Sequence, residues 1–173
     1  MQNYTFEIKK VQTVACKLEV SADEASDISA MLKALASVCN YIHKIVPPEI
    51  TNSERIKQLI DKTVREDFGL PSSLAICAIE QVAENRQIAQ KTGRLVKEFK
   101  SNTAECNSGM FLFRQQDLTI VLTLLEGEKP FKILIGKHQL KLLKGQQIKS
   151  ATLVKRKDNS YYIHLHWEVL WKP

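Results

Sequence analysis

No apolar run in this chain approaches the ~20 residues that a membrane-spanning helix needs; the longest, around Leu118 to Leu125, has the length of a strand. The opening Met1-Gln2-Asn3-Tyr4 lacks a basic head followed by an apolar stretch, so it does not read as a secretory signal. Cysteine is sparse, and Cys16, Cys39, Cys77 and Cys106 stand 23, 38 and 29 residues apart. Without a C-x-x-C, neither a zinc ribbon nor a thioredoxin-type redox pair is encoded, and four reduced, packed thiols are expected. A cytoplasmic protein with no membrane partner follows as the expectation. Six glycines and five prolines are too few for a collagen-like or low-complexity chain.

Catalytic signatures are missing too. No Walker A loop, no G-x-G-x-x-G, no G-x-S-x-G and no H-E-x-x-H occurs. Paired strand-end carboxylates of the kind two-metal nucleases use are not evident. Asp23, Glu24 and Asp27 sit instead where a helix N-terminus favours negative charge. The residues therefore argue against a self-sufficient catalytic site and imply no cofactor.

What is present is an ordinary globular composition, 44% hydrophobic and 25% charged over 173 residues. A chain of this length typically buries roughly 68 to 70% of its unfolded surface, enough for a core without metals or disulfides. The 25 basic and 19 acidic residues leave a charge of +6. Residues 1 to 22, 23 to 100 and 101 to 173 contribute +1, 0 and +5, so the excess lies at the C-terminal end. From Lys129 through Lys132, Lys137, Lys141, Lys144, Lys149, Lys155 and Arg156 to Lys157 there is no Asp or Glu. A one-signed stretch attracts polyanions, because each Lys set on a phosphate releases condensed counterions. The same lysines could instead guard exposed strand edges, or meet an acidic protein or membrane surface. The nucleic-acid reading expects them to share one exposed concavity.

Periodicity divides the chain in the same places. Tyr4 to Val20 is β-branched and alternating, a strand with a bend near Lys10. Ser21-Ala-Asp-Glu24 has the spacing of a capping box, and Ile28, Leu32, Leu35, Cys39 and Ile42 form one helical stripe that ends at Pro47-Pro48. A second helix is capped by Ser53, with Ile56, Leu59, Ile60, Thr63 and Val64 inward and Gly69 after its end. A third opens at Pro71-Ser72-Ser73, with Leu74, Ala78, Val82 and Ile88 inward, and runs to about Lys100 unless Gly93 breaks it. About five strands follow, the last two forming a hairpin around Asp158-Asn159-Ser160. A lone first strand must pair with the later sheet. The expected fold is thus α+β: a small antiparallel β-barrel, OB-like, with a three-helix insertion between its first and second strands. Residues 1–22 supply the first barrel strand, 23–100 the helical insertion and 101–173 the remaining strands.

In the last strand Tyr162, His164, His166 and Glu168 share one face, opposite Tyr161, Ile163, Leu165, Trp167 and Val169. Two histidines and a carboxylate could bind a metal, but the four-residue span is ~13 Å and no fourth ligand is spaced to join them. A polar outward face is the better reading, and with Lys155, Arg156 and Lys157 beside it Tyr162 and His164 could stack on bases and meet phosphates. Arg86, Lys91, Arg94, Lys97 and Lys100 make the end of the third helix basic. Cations suit a helix C-terminus, and they would also line a groove beside the basic sheet.

Three segments, Leu35 to Ile42, Val64 to Ala83 and Ile148 to Glu168, together resemble the N-terminal half of TnpB, the transposon-encoded RNA-guided nuclease related to type V CRISPR effectors. The resemblance covers nearly the whole chain and implies a wedge barrel interrupted by a helical recognition domain. It implies a transposase-associated module that holds a guide-like RNA scaffold and meets duplex DNA beside the target. The RuvC-like nuclease half lies outside this chain, so the chain itself would be no enzyme. Ser73 stands where relatives often have Gln, and Arg86 where they have an aromatic, so DNA reading by the third helix is not carried over. RNA-backbone contact is carried over to Lys149, Lys155, Arg156 and Lys157. The wider nucleic-acid-binding set adds Lys132, Lys137, Lys141, Lys144, Tyr162, His164, Arg94, Lys97 and Lys100. The alternatives are half of a split nuclease, completed by a separate RuvC-like polypeptide, and a protein interaction domain.

Overall fold

The computed structural model describes residues 8–107 and 109–171. In chain order these form β1 (Ile8–Leu18), α1 (Ala22–Ile45), α2 (Ser53–Asp67), α3 (Ser72–Thr92), β2 (Thr103–Cys106), β3 (Phe111–Arg114), β4 (Thr119–Leu124), β5 (Gly127–Leu134), α4 (Lys137–Leu143), β6 (Ser150–Lys155) and β7 (Tyr161–Trp171). The part of the first strand expected at residues 4–7 lies outside the described residues.

One seven-stranded sheet runs in the order β2-β6-β7-β1-β5-β4-β3, every pairing antiparallel. Its two edge strands, β2 and β3, are consecutive in the chain and joined by a turn in which Met110 N donates to Asn107 O at 2.9 Å. The sheet therefore curls into a nearly closed barrel with one seam. The expected α+β barrel with three helices inserted between its first two strands is what forms.

Local chemistry explains most boundaries. At α1 the Ser21 hydroxyl accepts from Glu24 N at 3.2 Å while the Glu24 carboxylate accepts from Ser21 N at 3.0 Å, the reciprocal box that satisfies free N–H groups at a helix start. Asn52, one residue before the expected Ser53, caps α2 by accepting from Glu54 N and Arg55 N. The α3 helix stops at Thr92, because Gly93 takes up the left-handed conformation at φ 69°. It does not run on to Lys100; residues 94–100 are irregular. Six strands, not five, follow the helices, since the four residues of β2 are too few for alternation to stand out. Leu59 and Ile88, expected inward, are 60% and 52% exposed. Leu59 flanks the narrow buried stripe Ile56-Ile60-Val64 of α2, and Ile88 lies beyond Arg86, where the broad buried face of α3 ends.

A single apolar core runs from the barrel into the helices. Cys16, Phe131, Leu153, Ile163, Leu165 and Trp167 fill the barrel, while Ile28, Leu32, Leu35 and Ile42 of α1 join it to Ile56, Leu74 and Val82. All four cysteines are buried free thiols. Burial pushes Cys16 up to about 11 and Cys39 up to about 12, which keeps them protonated and unreactive.

Arg86, expected to add to a basic helix end, is instead 2% exposed. Its Nη1 donates to Pro47 O at 2.8 Å and Ile50 O at 2.9 Å, and its Nη2 to His43 O at 3.1 Å and Val46 O at 2.8 Å. These carbonyls end α1 and begin the turn after it, where the helix leaves acceptors without partners and its dipole is negative. The guanidinium thus holds α3 against the end of α1. Removing it strands one buried acceptor, Val46 O, at ~1–3 kcal/mol and three part-buried ones that water can partly satisfy, so Arg86→Met is expected to cost roughly 3 kcal/mol. Arg86→Lys, with three donors and no planar fork, should recover part of this. Urea unfolding of both variants checks the assignment; an Arg86→Met protein as stable as the parent contradicts it.

Candidate nucleic-acid interface

The cationic stretch does not share one surface. Lys129 meets Glu24 at the start of α1, Nζ to Oε2 3.5 Å, and is thereby neutralised. Lys137 and Lys141 are exposed four residues apart on α4, and exposed Lys144 caps its end. Gln139 Nε2 donates to Ala15 O at 2.6 Å, so α4 sits beside β1 where β5 has left it. Lys149 N donates to His166 O, which places Lys149 six residues along β7 from the hairpin at Tyr161, ~20 Å at strand rise. Lys132 is exposed on β5, beside Glu19 just after β1. The expectation of one concavity is corrected by the barrel itself: its strands and α4 carry successive lysines to different ends and faces.

Three cations from three elements do converge. Along α1, Ser26, Ser29 and Ala30 floor a cavity of about 480 Å3 whose other wall is Lys155, Asn159 and Tyr161 of the β6–β7 hairpin. Further along the same helix, Ala36, Ser37 and Asn40 floor a second cavity of about 670 Å3, walled by residues 98–102, including Lys100. Lys33 lines both, joining them into a trough. Its cations are Lys33, Lys100 and Lys155; the carboxylate on its wall is Glu98.

The walls are held by backbone-directed hydrogen bonds. Asn40 Nδ2 donates to Phe99 O at 3.0 Å, and Phe99 N donates to Asn40 Oδ1 at 2.9 Å, pairing the side-chain amide with a peptide group as a strand would. Lys155 N donates to Asn102 O at 2.8 Å, fastening the hairpin to the irregular segment. Tyr161 Oη donates to Ala25 O at 3.2 Å, fastening it to α1. Of the basic residues expected at the end of the third helix and found beyond it, Lys100 lines the trough, whereas Arg94 and Lys97 are exposed outside it.

Neighbours on the hairpin diverge. Lys155 pairs with Tyr161 in register and lies 6.0 Å from its ring on the α1 side. Arg156 covers the ring of Tyr162 on the outer sheet face, with Cζ 3.4 Å from the centroid. Tyr162, expected to stack on bases, therefore already carries a guanidinium on one face. Lys157 is exposed at the tip, and the adjacent Asp158 accepts from Ser160 N at 3.0 Å; that turn, and then nearby Lys17, hold its carboxyl below the usual range. His166 sits between the Thr13 hydroxyl, 2.7 Å from Nδ1, and the Thr152 hydroxyl, 2.9 Å from Nε2. Burial lowers the pKa of both histidines, aided at His164 by Arg156 and at His166 by His164. Both shifts favour the neutral imidazole, which weakens His164 as a charged partner for phosphate. Glu168 meets Lys9 at 3.9 Å.

One cluster escaped the sequence reading. Glu84 on α3 and Glu105 on β2 approach each other, with Glu80 on α3 hydrogen-bonded to Asn107. Glu80 and Glu84 are four apart on the helix, but nothing in the sequence signals that β2 docks there. Partial burial, and next the Glu84 carboxylate, raise the Glu105 pKa. Stability contributed by protonated Glu105 is complete below the ordinary Glu range and is lost as pH rises through the raised value. Glu105→Gln should accordingly be more stable than the parent at pH 8, with the gain shrinking toward pH 4. Thermal unfolding across that range tests it, and a variant no more stable at pH 8 contradicts the pairing.

Comparison with known protein families finds no match for this chain, and none of the curated proteins matches it.

Proposed function

We propose that the protein is a noncatalytic nucleic-acid-binding module that grips a phosphate backbone in the trough along α1. The observation that carries this reading is the convergence of Lys33, Lys100 and Lys155, from a helix, an irregular segment and a strand, around a floor of serine, alanine and asparagine. Short side chains on the floor let a backbone approach closely, and the ammonium groups then meet its phosphates. Exposed Lys157 at the hairpin tip extends the positive edge beyond the trough.

A structured RNA is the ligand proposed, on the resemblance to TnpB; a separate RuvC-like polypeptide would supply any nuclease chemistry. Recognition of RNA by shape and backbone suits a surface whose contacts are lysines and hydroxyls.

Each phosphate contact contributes ~0.7 to 0.9 to the slope of log affinity against log salt. Lys33→Ala/Lys100→Ala/Lys155→Ala should therefore flatten that slope by roughly two to three for a hairpin RNA. Lys57→Ala/Lys62→Ala, exposed on α2 and outside the trough, should change it little. Equal losses in the two variants, or parental binding that ignores salt, contradict the proposal.

A further inference from the structure

We propose a second site: the open seam of the barrel is a pocket for one unpaired nucleotide, whose base stacks on Phe113 and whose edge is met by glutamine amides. This takes its ligand class from the nucleic-acid reading above but rests on different residues. β3 pairs with β4 along one edge only. Past its other edge runs the segment before β6, leaving a cavity of about 340 Å3 lined by Phe111, Phe113, Gln115, Gln146, Gln147 and Lys149.

The strand alternation sets the rings. Phe111 and Phe113 stand in register with buried Leu122 and Ile120, so they belong to the barrel's inner side. A neighbouring strand would cover them; at the seam they stay half-buried, packed on the core yet reachable. Aromatic faces at a solvent-reachable slot are what unpaired bases stack on.

The polar groups suit the edge of a base. Each glutamine amide presents two donors beside an acceptor, the pairing that nucleobase edges complement. Gln115 Nε2 donates to Leu143 O at 3.2 Å, which anchors that side chain and leaves its oxygen as an acceptor. Among the described residues, the side chains of Gln146 and Gln147 have no hydrogen-bond partner. Lys149 is the charged residue on the lining, placed to meet one phosphate, and no carboxylate lies there to repel it. The volume is at the small end of ligand pockets, ~300 to 1,000 Å3, and suits one nucleotide. An added peptide strand would find only four residues of β3 to pair with.

The test titrates the whole chain with AMP, GMP, CMP and UMP at millimolar concentration, following side-chain amide and backbone resonances by NMR. Saturable shifts at Gln115, Gln146 and Gln147 with at least one nucleotide are expected. Phe113→Leu, which keeps apolar volume and loses the π face, should weaken binding at least about tenfold. Gln146→Ala/Gln147→Ala should erase the preference among the four bases. No shifts, or shifts confined to Lys33, Lys100 and Lys155, overturn the pocket and leave the trough standing. Shifts at the glutamines together with salt-insensitive RNA binding support the pocket and overturn the trough. Shifts produced by an extended peptide and by none of the nucleotides overturn the nucleotide assignment.

Discussion

The ladder between β1 and β7 is the constraint from which the other arrangements follow. Ten register pairs, from Ile8 with Trp171 to Lys17 with Tyr162, set the first strand beside the last. Everything between Leu18 and β2 must then leave the barrel and return to it, and only Glu19, Val20 and Ser21 separate β1 from α1. The start of α1 is consequently tied to the end of the barrel that carries the β6–β7 hairpin. That proximity sets Lys155 and Tyr161 against Ala25, Ser26 and Ser29. At the other end of α1, the Arg86 guanidinium and the Asn40–Phe99 pair fix α3 and the returning segment.

A trough assembled in this way is preorganised. Its cations come from separate elements fastened to one another by hydrogen bonds, so their backbones are already placed and a docking polyanion would have only the lysine side chains left to order. The remaining lysines differ in kind. Lys132, Lys137, Lys141 and Lys144 are exposed and spread over other parts of the barrel, where they raise the general positive potential without sharing a contact surface. On the proposed reading, total charge attracts a polyanion from solution and the trough offers it a place to settle.

Legibility followed the range of the forces involved. Local chemistry could be read directly: the Ser21 capping box, the α1 stripe, the inward series Tyr161, Ile163, Leu165 and Trp167, and the positive φ at Asn159 in the hairpin turn. The insertion topology could be inferred because a lone strand needs a partner. What could not be read depends on long-range docking. Arg86 looks like any helical cation until the carbonyls of Pro47 and Ile50 are brought to it. Lys33, in a segment with no net charge, gave no sign that it would face Lys155. Lys155 and Arg156 look equivalent in sequence, but strand alternation sends them to opposite sides of the sheet.

Hydrogen–deuterium exchange with and without a bound hairpin RNA tests the central claim most directly. Slowed exchange in residues 25–40, 98–102 and 155–161, with α2 unchanged, is the predicted footprint of a backbone held along α1. Protection on α2 or on the β4–β5 turn, with those three segments unaffected, contradicts it.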